Sequence, residues 1–424
     1  MHTPHRDFIA GADDTAGTDS AAQLPRFLRT CALFAAPIVV LVAPALTVLA
    51  ISGECFVSMD DIAHRARRQP VLVGFAYDEK NYGYLKYRQL TSLPRQSVIA
   101  VGSSRVLGFR REMFTSRFYN AGYTVVTAWD FRKFLAEVPE THRPDIVILG
   151  LDQFLFNSEY NEAAKGHDAS DWHTASDADL QAALKVVPDV YKDVLRGRLK
   201  IGSPLSALRQ PAESDGVAAF GLNAVVNRTG FRNDGSYSYG AQVDRLLTSD
   251  PSARDFGFAE TLDRVRRGNR RFQHGAALDG DVVREISELL EFCSHRKMHV
   301  VAYLPPYADA VWQAMEASGE FAYATQIEAA LRPHFDRHGF ELYAFQCMSD
   351  CDASDEEAID GFHAGEKTYL KMLIRMLERG SALNRFASLQ TLRRDALQVV
   401  NRYVAYPDVA PPVQIAAGGV PTMR

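Results

Sequence analysis

From Cys31 to Ile51 the chain reads CALFAAPIVVLVAPALTVLAI, without a single charged residue. About 20 apolar residues, each rising about 1.5 Å in a helix, match the ~30 Å hydrocarbon core of a bilayer. Pro37 and Pro44 lie inside the run; prolines that would break a soluble helix are tolerated in a membrane one. The competing reading is a cleaved signal sequence, with Ala43-Pro44-Ala45 as a small-residue site. The run is longer than a usual signal core, so residues 31–51 are expected to be a single transmembrane anchor. Arg26 and Arg29 precede it, which favours an N-terminus inside and a body outside the cytoplasm; Arg65, Arg67 and Arg68 on the other side weaken that bias. Residues 1–30 are expected to be a disordered cytoplasmic tail.

The rest of the 424 residues has ordinary globular composition, 47% hydrophobic and 23% charged. A net charge of -5 does not suit a nucleic-acid binder. The five cysteines (Cys31, Cys55, Cys293, Cys347, Cys351) form no C-x-x-C pair, which argues against structural zinc. Cys347 and Cys351 are close enough in sequence for a local disulfide in an oxidising compartment, or for two free thiols.

Residues 55–95 read as a membrane-proximal lead-in with a tyrosine patch at Tyr77, Tyr82, Tyr84 and Tyr87. A parallel-sheet α/β domain is expected over 96–380. Ser97–Val101 is a short buried strand. A helical pattern (Val125, Trp129, Phe131, Leu135, Val138) follows the Asn120-Ala121-Gly122 loop, and Ile146–Leu151 is the next strand. Strand–helix–strand in this order is a βαβ unit. The pattern returns with a helix at Asp281–Arg296, a strand at His299–Leu304, a helix at Thr325–His338, a strand at Phe340–Phe345 and a helix at Thr368–Leu377. Residues 155–280 are loop-rich and charged, and read as an insert over the sheet edge. Within it a weak helix at Ser176–Leu195 is expected to be interrupted by Pro188. Residues 400–424 read as a disordered tail.

Two motifs carry chemistry. Gly102-Ser103-Ser104 follows the first buried strand, where open parallel sheets bind ligands, and the glycine permits a tight turn. Asp360-Gly361-Phe362-His363 precedes the last helix, and its spacing lets the carboxylate orient the imidazole that a serine nucleophile needs. The same D-x-x-H spacing recurs at Asp61-Ile62-Ala63-His64, ahead of the sheet, where it reads as incidental.

Taken together, strand-Gly-Ser-Ser, Asn120-Ala121-Gly122, Gly150-Leu151-Asp152 and the late D-x-x-H resemble the SGNH hydrolase superfamily over residues 97–157 and 281–377. The Gly-Ser-Ser-Arg form is similar to its membrane-anchored members in cell-envelope acylation, the DltD-like and polysaccharide O-acetylation proteins. The resemblance implies a flavodoxin-like three-layer fold, Ser104 as nucleophile, His363 as base and Asp360 as its orienter. It implies an oxyanion hole at the backbone of Ser104 and Gly122 and at the third block. There Asp152 stands where an asparagine donor is usual, so a protonated Asp152 or the neighbouring Gln153 would have to donate. It also implies an envelope polysaccharide as substrate and a multi-spanning membrane acyltransferase as partner, with no cofactor or metal.

Three other features stand apart from these motifs. Asp171-Trp172-His173 resembles the D-x-H of alginate acetylation proteins, but follows the serine instead of preceding it. His334 and His338 share a helix face without an evident third metal ligand. Arg266, Arg267, Arg270 and Arg271 form a basic run that suits solvated surface or an anionic partner.

Overall fold

The computed structural model describes residues 16–164, 172–175, 179–196, 199 and 216–408. Among them are nine strands: β1 (Val71–Val73), β2 (Val98–Gly102), β3 (Phe118–Gly122), β4 (Ile146–Gly150), β5 (Ala218–Phe220), β6 (Gly230–Phe231), β7 (Tyr237–Ser238), β8 (His299–Leu304) and β9 (Glu341–Ala344). The main sheet runs β3-β2-β4-β8-β9 and is parallel throughout. Counting only its own strands in chain order, this is 2-1-3-4-5, the flavodoxin-like order, whose switch point lies between β2 and β4. β2, β3 and β4 are buried at every position, as a sheet covered on both faces requires. The chain is α/β, with a parallel sheet flanked by helices such as Trp129–Glu137, Gly280–His295, Ala322–His338 and Glu366–Glu378.

β3 is a strand where a loop is expected from the sequence at Asn120-Ala121-Gly122. Phe118–Gly122 has no apolar run, because Asn120, Ala121 and Gly122 end it. It is drawn into the sheet by register pairing, from Val98↔Phe118 to Gly102↔Gly122. On its outer side the Asn120 N–H donates to the Asp234 carbonyl at 2.7 Å, so the 155–280 segment closes this edge.

A second sheet, β5-β1-β6-β7, joins the lead-in to the insert: Val71–Val73 pairs with Ala218–Phe220, and Val73 with Phe231. The lead-in and this part of the insert are therefore one structural unit. Lys86 pins it to the main sheet. Its ammonium is fully buried, donates to the carbonyls of Asn120 (3.0 Å) and Gly235, and lies 4.1 Å from the Phe231 ring centroid. Desolvation by burial pushes its pKa well down.

The N-terminal helix covers Ala16–Ile51, so residues 16–30 are helical and not a disordered tail. Its Leu24–Ile51 stretch is long and apolar enough to cross a membrane. Residues 24–41 are exposed throughout, whereas Ala45, Val48 and Leu49 are buried against Ala183, Val187 and Val190 of the helix Leu180–Leu195. That helix runs on through Pro188 without a break. The proline sits on its exposed side, and packing on the other face outweighs the missing hydrogen bond. Residues 401–408, expected to be a disordered tail, fold back onto the domain. The Tyr403 carbonyl accepts from Glu366 N–H at 2.7 Å, and Asp408 pairs with Arg232 at 2.6 Å. Residues 409–424 lie outside the described ones.

Candidate active site

The serine turn sits on three glycines. Gly102, Gly122 and Gly150 end three adjacent strands, and a Cβ added at any of them would come within 2.3–2.6 Å of a Val106 methyl. Val106 is fully buried, so none of the three can accept a side chain while it stays in place. The glycines are there for this close approach, not for positive φ. With them, residues 103–107 settle directly on the carboxyl ends of β2, β3 and β4.

Asn120 ties the turn from below. Its amide donates to the carbonyls of Val106 (2.8 Å) and Phe109 (3.0 Å), and its Oδ1 accepts from Gly122 N–H (2.9 Å). From above, the hydroxyls of Tyr303 and Tyr369 both donate to the Arg105 carbonyl at 2.8 Å. The Ser103 hydroxyl accepts from Arg105 N–H at 3.1 Å. Ser103 is buried and belongs to the turn; Ser104 remains partly open.

Ser104 Oγ lies 2.8 Å from His363 Nε2. Across the ring, Nδ1 lies 2.9 Å from both carboxylate oxygens of Asp360. Facing a carboxylate, Nδ1 carries the proton, which leaves the Nε2 lone pair to accept from the serine hydroxyl. Asp360 Oδ1 also accepts from the N–H groups of Phe362 (2.9 Å) and His363 (2.7 Å), so one carboxylate shapes the loop and orients the imidazole. Burial alone would raise the Asp360 pKa, but His363, Arg254 at 3.8 Å and the Phe362 N–H hold it well below the ordinary carboxylate range.

The insert braces this loop. Asp255 Oδ2 accepts from Gly361 N–H at 3.0 Å, and Gly361 lies so close to Thr261 that a Cβ would meet its side chain at 2.7 Å. An aromatic series also leads from the second sheet to the site: Phe231–Tyr237 (5.0 Å), Tyr237–Tyr239 (5.1 Å) and Tyr239–His363 (6.3 Å between centroids).

Of the oxyanion donors expected at Gly122, Asp152 and Gln153, Gly122 and Gln153 have partners elsewhere, while Asp152 keeps one carboxyl oxygen, Oδ2, without a partner among the described residues. Gly122 N–H is held by Asn120. The Gln153 amide donates to the Pro305 carbonyl (2.9 Å), and its Oε1 accepts from Arg105 (2.9 Å). Asp152 is fully buried with Arg105 Nη1 at 3.3 Å. Desolvation raises its pKa, while Arg105 and the Ser103 hydroxyl oppose the rise. Ser104 N–H has no hydrogen-bond partner among the described residues and is free to donate.

Arg105, the last residue of the Gly-Ser-Ser-Arg form, has a structural role that the sequence does not assign. Its side chain is 1% exposed, and its guanidinium also reaches the Pro305 carbonyl (2.8 Å) and the rings of Tyr307 (4.1 Å) and Phe362 (4.6 Å). It binds both Asp152 and Gln153. An arginine immediately after the serine of a buried turn was the only available signal.

The other sequence candidates fall outside this constellation. His64 contacts Arg67 on an exposed face of the helix Met59–Ala66. His173 pairs with Glu137 at 3.0 Å; Asp171 lies outside the described residues. His338 stacks on Phe340, and no group of three or more His, Cys, Asp or Glu side chains is arranged for a metal among the described residues. All five cysteines are free thiols, Cys347 and Cys351 included. No family model, curated protein or solved structure matches this chain.

Proposed function

We propose that the protein is a membrane-anchored serine esterase or O-acyltransferase of the SGNH type, acting on a cell-envelope polysaccharide from outside the cytoplasm. The observation that carries this reading is the Ser104–His363–Asp360 chain of hydrogen bonds at the switch point of the sheet. In the first half-reaction His363 Nε2 takes the Ser104 proton as Oγ bonds to the acyl carbon. The donor's C–O bond then breaks, and its alkoxide leaves with the proton from His363. In the second, a sugar hydroxyl or water gives a proton to His363 and attacks the acyl-serine, and Ser104 leaves with that proton. Asp360 stabilises the imidazolium in both. A multi-spanning membrane acyltransferase is the partner this scheme calls for on the donor side, and the anchor raises the effective concentration of a membrane-borne donor. Labelling of the full-length protein by a fluorophosphonate, lost in Ser104→Ala, tests it.

One observation favours a second reading, a non-catalytic glycan-binding or assembly subunit. With Gly122 and Gln153 engaged, the oxyanion would meet the Ser104 N–H without their help. Losing one donor costs about 10²–10³ in rate. No labelling at Ser104, together with glycan binding, would select this reading.

A further inference from the structure

The basic run beside the site divides in two. Arg266 and Arg267 point outward from the helix Ala259–Arg267, both paired with Asp263 and largely exposed. The chain then reverses through Gly268, and Arg270 and Arg271 both adopt positive φ, +50° and +77°. This turn carries them back to a cleft lined also by Arg254, Arg264, Phe362 and the triad's own Asp360 and His363.

The acids of the cleft are largely used up. Asp255 accepts from the N–H groups of Glu260, Thr261 and Gly361 and from the Thr261 hydroxyl. Glu260 pairs with Arg264 and with Arg270, and Asp360 faces Arg254 and His363. Arg271 has no carboxylate partner among the described residues. Its guanidinium lies 5.4 Å from the Phe154 ring and 5.5 Å from that of Phe362, and the Phe362 ring is 5.0 Å from His363. Beside two rings and the Tyr160 hydroxyl, which is its one side-chain hydrogen-bond partner among the described residues, the guanidinium is held in place and keeps further N–H donors for a ligand.

We propose that this cleft is an anion subsite, in which Arg271 with Arg254 holds a carboxylate or phosphate on the sugar next to the acyl ester. The proposal rests on the esterase reading for what sits at Ser104, but the subsite itself is a matter of binding. A planar guanidinium takes either oxyanion in a paired, charge-assisted contact. The substrate class is thus an acidic glycan, uronate-bearing or phosphorylated, and not a neutral one.

The test uses full-length protein in detergent with three acetyl esters: of glucose, of glucuronic acid and of glucose phosphate. Wild type is expected to prefer one or both acidic esters, with the preference expressed in KM. The more strongly preferred ester identifies the anion. Arg271→Gln should cut that preference about 10- to 100-fold, as expected for a charge-assisted contact. Arg266→Gln should leave it intact. Binding of the corresponding oligosaccharides to Ser104→Ala provides a second readout without turnover. Acidic oligosaccharide binding that depends on Arg271, in a protein showing no Ser104-dependent turnover, keeps the subsite and removes the esterase. No acidic preference in either assay, or one unchanged by Arg271→Gln, overturns the subsite.

Discussion

The Ser104 hydroxyl and the Nε2 of His363 lie 2.8 Å apart although 259 positions separate them in the chain. Two different devices bring them together. The serine is set by glycines that let its turn rest on the sheet, and the histidine by a four-residue loop closed on Asp360 and braced by Asp255.

The two serines should therefore behave differently. Ser104→Ala should abolish fluorophosphonate labelling and ester turnover and change stability by less than about 0.5 kcal/mol. Ser103→Ala should retain labelling and cost about 1 kcal/mol, since Ser103 Oγ accepts from Arg105 N–H inside the turn. Labelling that survives in Ser104→Ala and disappears in Ser103→Ala would move the nucleophile one residue back.

Asp360→Asn should lower kcat by about 10³–10⁴, because an amide no longer fixes the imidazole tautomer. It should also change the pH dependence of stability. The Asp360 pKa is depressed in the folded protein, so between the ordinary carboxylate range and that lower value the unfolded chain binds a proton that the folded one does not. Stability from this group is fully present at neutral pH and declines as the pH falls through that window. Wild type should lose stability on acidification more steeply than Asp360→Asn in denaturant titrations. Parallel pH curves would contradict the assignment.

The glycine platform makes a sharper test of how the serine is positioned. At Gly150 a new Cβ would meet Val106 Cγ1 at 2.3 Å, and its next neighbour only at 3.4 Å. Gly150→Ala alone should cost roughly 1–3 kcal/mol by overpacking and displace the turn, reducing turnover. Adding Val106→Ala removes the obstructing methyls, so the double variant should recover much of both, a coupling of about 0.5–3 kcal/mol. Strictly additive losses would mean that Val106 is not what the glycine accommodates.

Much of this could be read in the chain because it depends on apolar runs. The strands β2, β4, β8 and β9 and the helices near 281 and 325 stand out by local pattern, and the spacing of Asp360 and His363 is itself a local constraint. What escaped depends on partners distant in sequence. β3 exists because β2 and the Asp234 carbonyl flank it, not because FYNAG favours a strand. Gly122, Gln153 and one oxygen of Asp152 read as open oxyanion groups because a sequence does not show which donors and acceptors are already in use. Their partners are Asn120, Arg105 and the Pro305 carbonyl. The buried Arg105 guanidinium is likewise invisible in a chain where most arginines are surface residues.

The apolar stretch long enough to cross a membrane and the domain share one helix, and this alters how a soluble form should be cut. Residues 24–44 rise about 31 Å, enough for the bilayer core, whereas Ala45, Val48 and Leu49 are packed inside the body. Just past the helix, the buried Glu54 carboxylate accepts from the N–H groups of Ala76, Tyr77 and Leu222, each at 2.7 Å. A form beginning near residue 55, reasonable when the sheet alone is considered, loses that carboxylate and bares the inner face of the helix Leu180–Leu195. Each stranded N–H costs about 1–3 kcal/mol where water cannot reach it, so this form should melt several degrees lower and tend to aggregate. A form beginning at Pro44 keeps both features and should melt close to the full-length protein. It should hydrolyse a small activated ester, because water can replace the sugar. Exported to the same compartment in a deletion strain, it should nevertheless fail to restore polymer acylation if the donor is delivered within the membrane. Equal melting of the two truncated forms would show that the helix end does not stabilise the body. Full restoration by the form beginning at Pro44 would show that the anchor serves location alone.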